Sequence, residues 1–145
     1  MSFFRSFSIS GSALTAQRIR MDVIAQNIAN ATTTRTANGT PYRRRVVVFS
    51  PREDSASFAY HFNQANQRAA GGVKVTAIME DPAPLKRMYD PTHPDADENG
   101  YVTLPNVDIT KEIIDMLSAT RAYEANVTAL NATKAMALKA LEIGR

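Results

Sequence analysis

Ile109-Thr-Lys-Glu-Ile113-Ile-Asp-Met116-Leu-Ser-Ala-Thr120-Arg-Ala-Tyr123-Glu-Ala-Asn126-Val127-Thr-Ala-Leu130-Asn-Ala-Thr-Lys134-Ala-Met-Ala137-Leu-Lys-Ala-Leu141-Glu-Ile143 contains neither Gly nor Pro. Read in 4-3 alternation, positions 109, 113, 116, 120, 123, 127, 130, 134, 137 and 141 carry Ile, Ile, Met, Thr, Tyr, Val, Leu, Lys, Ala and Leu, a stripe broken only at Thr120 and Lys134. A seven-residue repeat of this kind keeps one seam turned toward a partner helix. A helix over this span is about 52 Å long at 1.5 Å per residue. A compact globule of the same chain length is only roughly 38 Å across. The helix overshoots its own protein, so part of its seam is either bare or covered by neighbouring chains.

The amino-terminal region offers a matching element. Phe7, Leu14, Met21 and Ile28 fall seven apart, with Phe3, Phe4, Ile24 and Ala25 on the same face, and the pattern predicts a helix from about Ser6 to Ala29. Gly11 and Gln17 interrupt its first half. Helices that pair inside one bundle usually follow one another through short loops. Here about eighty residues of other character intervene, and the fold class expected is α+β: long terminal helices paired as a coiled-coil-like layer, with a small β-rich middle.

The totals set bounds. A length of 145 residues with 44% apolar content fits one folded unit. A net charge of +3 is mild, and the basic residues are scattered apart from Arg43, Arg44 and Arg45, which argues against a dedicated nucleic-acid binder. The absence of cysteine excludes disulfide and thiolate chemistry. No apolar run approaches the length that spans a bilayer. Met1 to Ser10 has no continuous apolar core and no small-residue cleavage site, so any export is expected to proceed without a cleaved signal peptide.

Between the helices the pattern turns strand-like. Tyr42 to Phe49 is β-branched and aromatic, Val73 to Met79 alternates after Gly71-Gly72, and Tyr101 to Leu104 leads into Pro105. Val46, Val48, Val73, Val75 and Ile78 are the expected inner side of a small sheet. Residues 50–72 are rich in Ser, Ala, Asn and Gln and are expected to form a long mobile excursion. The chain thus divides into 1–31, 32–107 and 108–145.

Candidate chemistry is sparse. Asp95-Ala-Asp97-Glu-Asn99-Gly100 reproduces the first half of a calcium-binding EF-hand loop, with oxygens at positions 1, 3 and 5 and Gly at 6. Position 12, which requires a bidentate Glu, is Asn106, and Pro94 and Pro105 deny the loop its flanking helices. A turn built from Asp and Asn side chains is therefore the favoured reading, with a calcium-dependent binding module at residues 95–100 as the alternative. His61 and His93 lack a second imidazole or thiolate nearby, and neither a nucleophile elbow nor a glycine-rich phosphate loop is present. The arginine run 43–45 reads as a charged strand edge.

Two end motifs and one middle segment carry a resemblance. Asn27-Ile28-Ala29-Asn30-Ala31 before a Thr-rich stretch, Tyr89-Asp90-Pro91 with His93-Pro94-Asp95-Ala96-Asp97 and Gly100-Tyr101-Val102, and Leu104-Pro105-Asn106-Val107-Asp108 opening the terminal helix resemble the bacterial flagellar basal-body rod protein family. Ala119-x-Arg121-x-Tyr123 with Asn126-Val127, and the short length, are similar to its proximal-rod members; residues 50–71 are longer than in a minimal member.

The resemblance implies a structural, non-enzymatic subunit without cofactor or metal. It implies a place in the periplasmic rod of the basal body, export by the flagellar type III apparatus, and contacts with copies of itself and other rod proteins. It also implies that residues 1–31 and 108–145 form an inner helical layer and that the terminal segments order on assembly. The contact residues between helices or subunits are then expected to be Phe7, Leu14, Met21, Ile24, Ile28 and Asn30, with Ile113, Met116, Tyr123, Asn126, Val127, Leu130 and Leu141. Asp108 is the expected N-cap of the second helix, with Glu112 in its first turn. Asn126 is a candidate for a register-fixing hydrogen bond across subunits.

Overall fold

The computed structural model describes residues 3–52 and 71–143. Its element order is α1 (Phe3–Ala29), β1 (Arg45–Pro51), β2 (Val73–Glu80), β3 (Lys86–Tyr89), β4 (Tyr101–Leu104) and α2 (Ile109–Ile143). Two terminal helices enclose a middle of antiparallel strands, an α+β fold. Residues 53–70, most of the expected excursion, lie outside the described residues.

Helix α2 has the bounds its composition predicts, and its start is fixed by Asp108. The Asp108 carboxylate accepts the N–H of Thr110 at 3.0 Å and of Lys111 at 3.4 Å, serving two of the orphan donors of the first turn. Helix α1 begins at Phe3, a turn earlier than the sequence pattern suggests, and runs unbroken through Gly11. It ends where Asn30 and the threonines take over the backbone: Asn30 Nδ2 donates to Gln26 O, and Thr33 Oγ1 donates to Asn30 Oδ1.

The helices pack antiparallel, with Asn27 against Glu112, Arg20 against Asp115 and Met21 against Thr120. Along α2 the line turned inward is Glu112, Met116, Ala119, Tyr123, Asn126, Leu130, Thr133 and Ala137. It coincides with the expected stripe at Met116, Tyr123, Leu130 and Ala137 and is shifted by one residue at the alternate position. Glu112 replaces Ile113 and Thr133 replaces Lys134, while Ala119 is added beside Thr120, which stays half-buried against Met21. Glu112 rather than Ile113 faces inward because Asn27 and Arg44, remote in sequence, hold its carboxylate in a polar cluster. Lys134 is thereby left in solvent, where its charge needs no partner.

Strands β1 and β2 form a ladder from Arg45↔Glu80 to Pro51↔Val73 with one extra residue, Thr76, on β2. Strand β1 starts at Arg45 rather than Tyr42, since residues 42–44 are engaged elsewhere, and Pro51 is its last paired residue. The register pairs Val46 with Met79 and Val48 with Ala77, but Val75 with Phe49, Val73 with Pro51 and Ile78 with Val47, which alternate with Val46 and Val48 along β1, so the expected inner residues do not share one face. Val46 and Val48 are each 38% exposed and Ile78 50%, so these three are not inner residues, whereas Val73 and Val75 are. Alternate residues Val73, Val75 and Ala77 are half-buried, and the helix this ribbon touches is α1.

Strand β3 has no counterpart in the sequence reading. All four of its residues are exposed, and it is held by its pairing with β4 and by the edge-to-face contact of Tyr89 and Tyr101, centroids 5.3 Å apart. The buried core is small, comprising Ala16, Val23, Ile24, Tyr42, Val102, Val107 and Ala119 among the described residues.

Candidate functional site

The most buried polar side chains among the described residues lie together where α1, α2 and the middle of the chain meet. Asn27 is 1% exposed and Glu112 0%. Asn27 Nδ2 donates to Glu112 Oε2 at 3.0 Å and to the carbonyl of Arg45 at 2.9 Å. Asn27 Oδ1 accepts the hydroxyl of Tyr42 and the N–H of Arg45, both at 2.9 Å. An amide side chain offers two donor hydrogens and two acceptor lone pairs, and here all four are used.

Arg44 reaches into the same place from the other side. Its Nε donates to Glu112 Oε1 at 2.6 Å, and its terminal nitrogens lie 3.4 Å from Asp81 and 3.5 Å from Asp115. Asp115 is shared with Arg20 of α1 at 3.6 Å. Burial works against the guanidinium's charge, but the hydrogen bonds and charges of Glu112 and Asp81 more than offset it, and Arg44 is held above its ordinary pKa. Desolvation pushes the Tyr42 hydroxyl up, against the lowering effect of Arg45, whose guanidinium lies 5.8 Å from the Tyr42 ring. Asp81 is held below the usual carboxylate range by the N–H of Ala83 and then by Arg44. Asn106 completes the cluster: its Oδ1 accepts the Arg44 N–H at 2.8 Å, and its Nδ2 donates to the carbonyls of Asp81 and Ala83.

The acidic loop is spent on its own turn. Asp97 Oδ1 accepts the N–H of Asn99 and of Tyr101, and its second oxygen faces Arg87 at 3.6 Å. Asp95 accepts the Thr34 hydroxyl at 2.7 Å and lies 3.9 Å from Arg35. Gly100 closes the turn with φ +78°. Thr92 holds the Asp90 carboxyl below its ordinary range through its hydroxyl and its N–H. Among the described residues no group of three His, Asp or Glu is placed to hold a metal ion, and no observation favours the calcium reading. No helix of the described residues is long and apolar enough to cross a membrane.

The expected contact residues fall into three groups. Ile24 is buried, and Phe7, Leu14, Met21, Ile28, Met116, Tyr123, Val127 and Leu130 are half-buried. Asn30 bonds back to the last turn of α1, and Asn126 bonds within α2, to the carbonyl of Ala122 at 2.7 Å. Ile113 and Leu141 are 48% and 72% exposed, so within one chain they do not join the helix pair. Sequence reasoning missed Arg44, which it placed on a charged strand edge, and the buried role of Glu112. Asn27 was noticed only as part of a motif. A Glu on the packed face of a helix that has an Arg available elsewhere is the signal that could have found the cluster.

Comparison with known proteins bears on the whole chain. Residues 7–35 match the family described as "Flagella basal body rod protein", and residues 98–143 match "Flagellar basal body rod FlgEFG protein C-terminal". The chain is 51% identical to the flagellar basal-body rod protein FlgC of Bacillus subtilis, with all of both chains covered. It is 46% identical to that of Borreliella burgdorferi, covering 99% of this chain and 98% of the relative, and 43% identical to that of Salmonella typhimurium, again over the full length of both.

Proposed function

This chain belongs to the FlgC family of flagellar basal-body rod proteins and is a structural subunit of that rod; we propose that it builds the proximal rod by lateral packing of α1 and α2 against neighbouring subunits. The observation that carries this reading is the apolar surface left on α2. Ile109, Ile113, Ile114 and Leu117 are exposed at one end and Met136, Leu138 and Leu141 at the other. Continuing the antiparallel register brings Phe3 level with about Met136, so roughly the last two turns of α2 run past the described start of their partner. Surfaces of this kind mark association sites. Head-to-tail contacts that do not close into a ring generate a helical tube, the shape a drive shaft transmitting torque requires.

Membership of the rod family supports a finer reading. The helix pair forms the inner layer and residues 32–107 the outer part, non-catalytic throughout. The subunit leaves the cytoplasm through the flagellar type III apparatus and acts in the periplasm, beside copies of itself and other rod proteins. Replacing both Leu138 and Leu141 by Asp tests the packing surface. Both side chains are exposed, so the variant is expected to accumulate and fold as the parent does, yet to be missing from isolated basal bodies and to leave cells non-motile. Normal incorporation of that variant would remove this face from the assembly.

Ordering along α2 is expected to be graded in the unassembled subunit. Ala119 and Glu112 are sealed, while residues 138–142 are exposed and, among the described residues, have no helix beside them. Amide exchange on the purified chain should be slow around Glu112 to Tyr123 and fast from Leu138 onward, with the difference lost on assembly. Uniform protection along the whole helix in the free subunit would argue against completion by neighbours.

A further inference from the structure

Arg44 and Arg45 are consecutive residues at the entrance to β1, and in a strand the backbone groups of successive residues point to opposite edges. Arg44 uses the edge toward β2, where its carbonyl accepts the N–H of Asp81 at 2.7 Å. Arg45 points the other way, toward the edge at which, among the described residues, β1 has no neighbouring strand. There its N–H and its carbonyl are both taken by one side chain, Asn27 of α1, each at 2.9 Å. The Asn27 amide presents an acceptor and a donor side by side, as the backbone of a third strand would.

The amide's direction is imposed by its surroundings. Tyr42 donates to Oδ1, and the Glu112 carboxylate can only accept, so the hydrogen-bearing nitrogen must face Glu112. Reversal would set an oxygen against a buried carboxylate and leave the Arg45 N–H facing a donor. Arg44 in turn fixes Glu112 at 2.6 Å. One residue of each helix thus defines where the ribbon begins and which way it points.

We propose that Asn27 is a positioning residue, which docks the edge of β1 onto the helix pair as a substitute strand and so sets the direction in which the β part of the subunit leaves the helices. Glu112 orients it. The first arm of the test concerns the purified chain alone, and only the second rests on the rod reading, so the two can fail separately.

The chain has no cysteine, so spin labels can be placed at will. Lys74 on the ribbon and Lys134 on α2 are both exposed and suit Lys74→Cys and Lys134→Cys labelling. The parent should give one narrow label-to-label distance. Asn27→Leu, close in volume but without polar atoms, should lose that single distance while keeping its helix content, and the Arg45 amide should exchange about tenfold faster or more. Asn27→Asp places a carboxylate against Glu112 and should do the same at neutral pH. Adding Glu112→Gln supplies a donor to the new carboxylate and should restore both readouts in part; if Asn27→Asp alone does not fold, this double variant carries the test. An unchanged distance and unchanged Arg45 exchange in Asn27→Leu, or no recovery in the double variant, would overturn the proposal. In cells, Asn27→Leu should fail to enter basal bodies. Full incorporation despite a lost distance would show that the direction is irrelevant to assembly.

Discussion

Arg44→Ala is expected to cost about 3 kcal/mol or more of folding stability, because the carboxylate it leaves behind is fully enclosed. Glu112 would keep the Asn27 amide as a hydrogen-bond donor but lose the guanidinium 2.6 Å away, while Asp81 and Asp115 would each lose a cation they share with it. The last two are partly exposed and water can screen them, so the penalty is set by Glu112. Urea denaturation followed by circular dichroism reads the change. The control is the pair Arg44→Ala with Glu112→Leu, which removes both charges and should recover more than half of the loss, since replacing a buried pair by apolar groups is often near neutral. A single substitution costing less than about 1 kcal/mol would mean that water reaches Glu112 and that the cluster is a surface feature.

Gly72→Ala is expected to cost about 2–4 kcal/mol, from two sources that a second glycine separates. Gly39 and Gly72 both have positive φ, +76° and +118°. A Cβ at Gly39 meets nothing within 4 Å, so Gly39→Ala should lose only about 1 kcal/mol from backbone strain. At Gly72 the added carbon would sit 2.8 Å from Ser12 Oγ. That oxygen accepts the Val73 N–H at 3.1 Å and donates to the Ile9 carbonyl at 2.8 Å, so it cannot move aside without breaking two hydrogen bonds. The entropy lost by the unfolded chain is common to both substitutions, which makes their difference the cleaner quantity. Equal costs at the two positions would show that the ribbon does not seat closely on α1.

The terminal helices were legible because their signals are redundant. Absence of Gly and Pro, heptad spacing and the Asp108 cap all agree on α2, and its bounds follow. The rotation of that helix was legible only to within one residue. A pattern that scores apolar character prefers Ile113 to Glu112, whereas the folded chain turns Glu112 inward because Arg44 and Asn27, remote in sequence, satisfy it. Arg44 itself sits between Arg43 and Arg45, where three like charges read as a solvated run. Nothing local distinguishes the middle one. Strand β3 was illegible for the opposite reason: Lys86, Arg87, Met88 and Tyr89 bury nothing, and their extended form is dictated by pairing with β4 rather than by their own periodicity. The acidic loop was read correctly as a turn, since Asp-x-Asn-Gly carries its own backbone logic.

The buried cluster draws on Asn27, Tyr42, Arg44, Asn106 and Glu112, which between them span most of the polypeptide. During synthesis Asn27, Tyr42 and Arg44 emerge well before Asn106 and Glu112, and Asn27 precedes Glu112 by 85 positions. Until Glu112 arrives, the Asn27 amide and the Arg44 guanidinium have no enclosed acid to close upon. The latch therefore takes its final pin from the start of α2, and a nascent chain stays unlatched for as long as that helix is still to come.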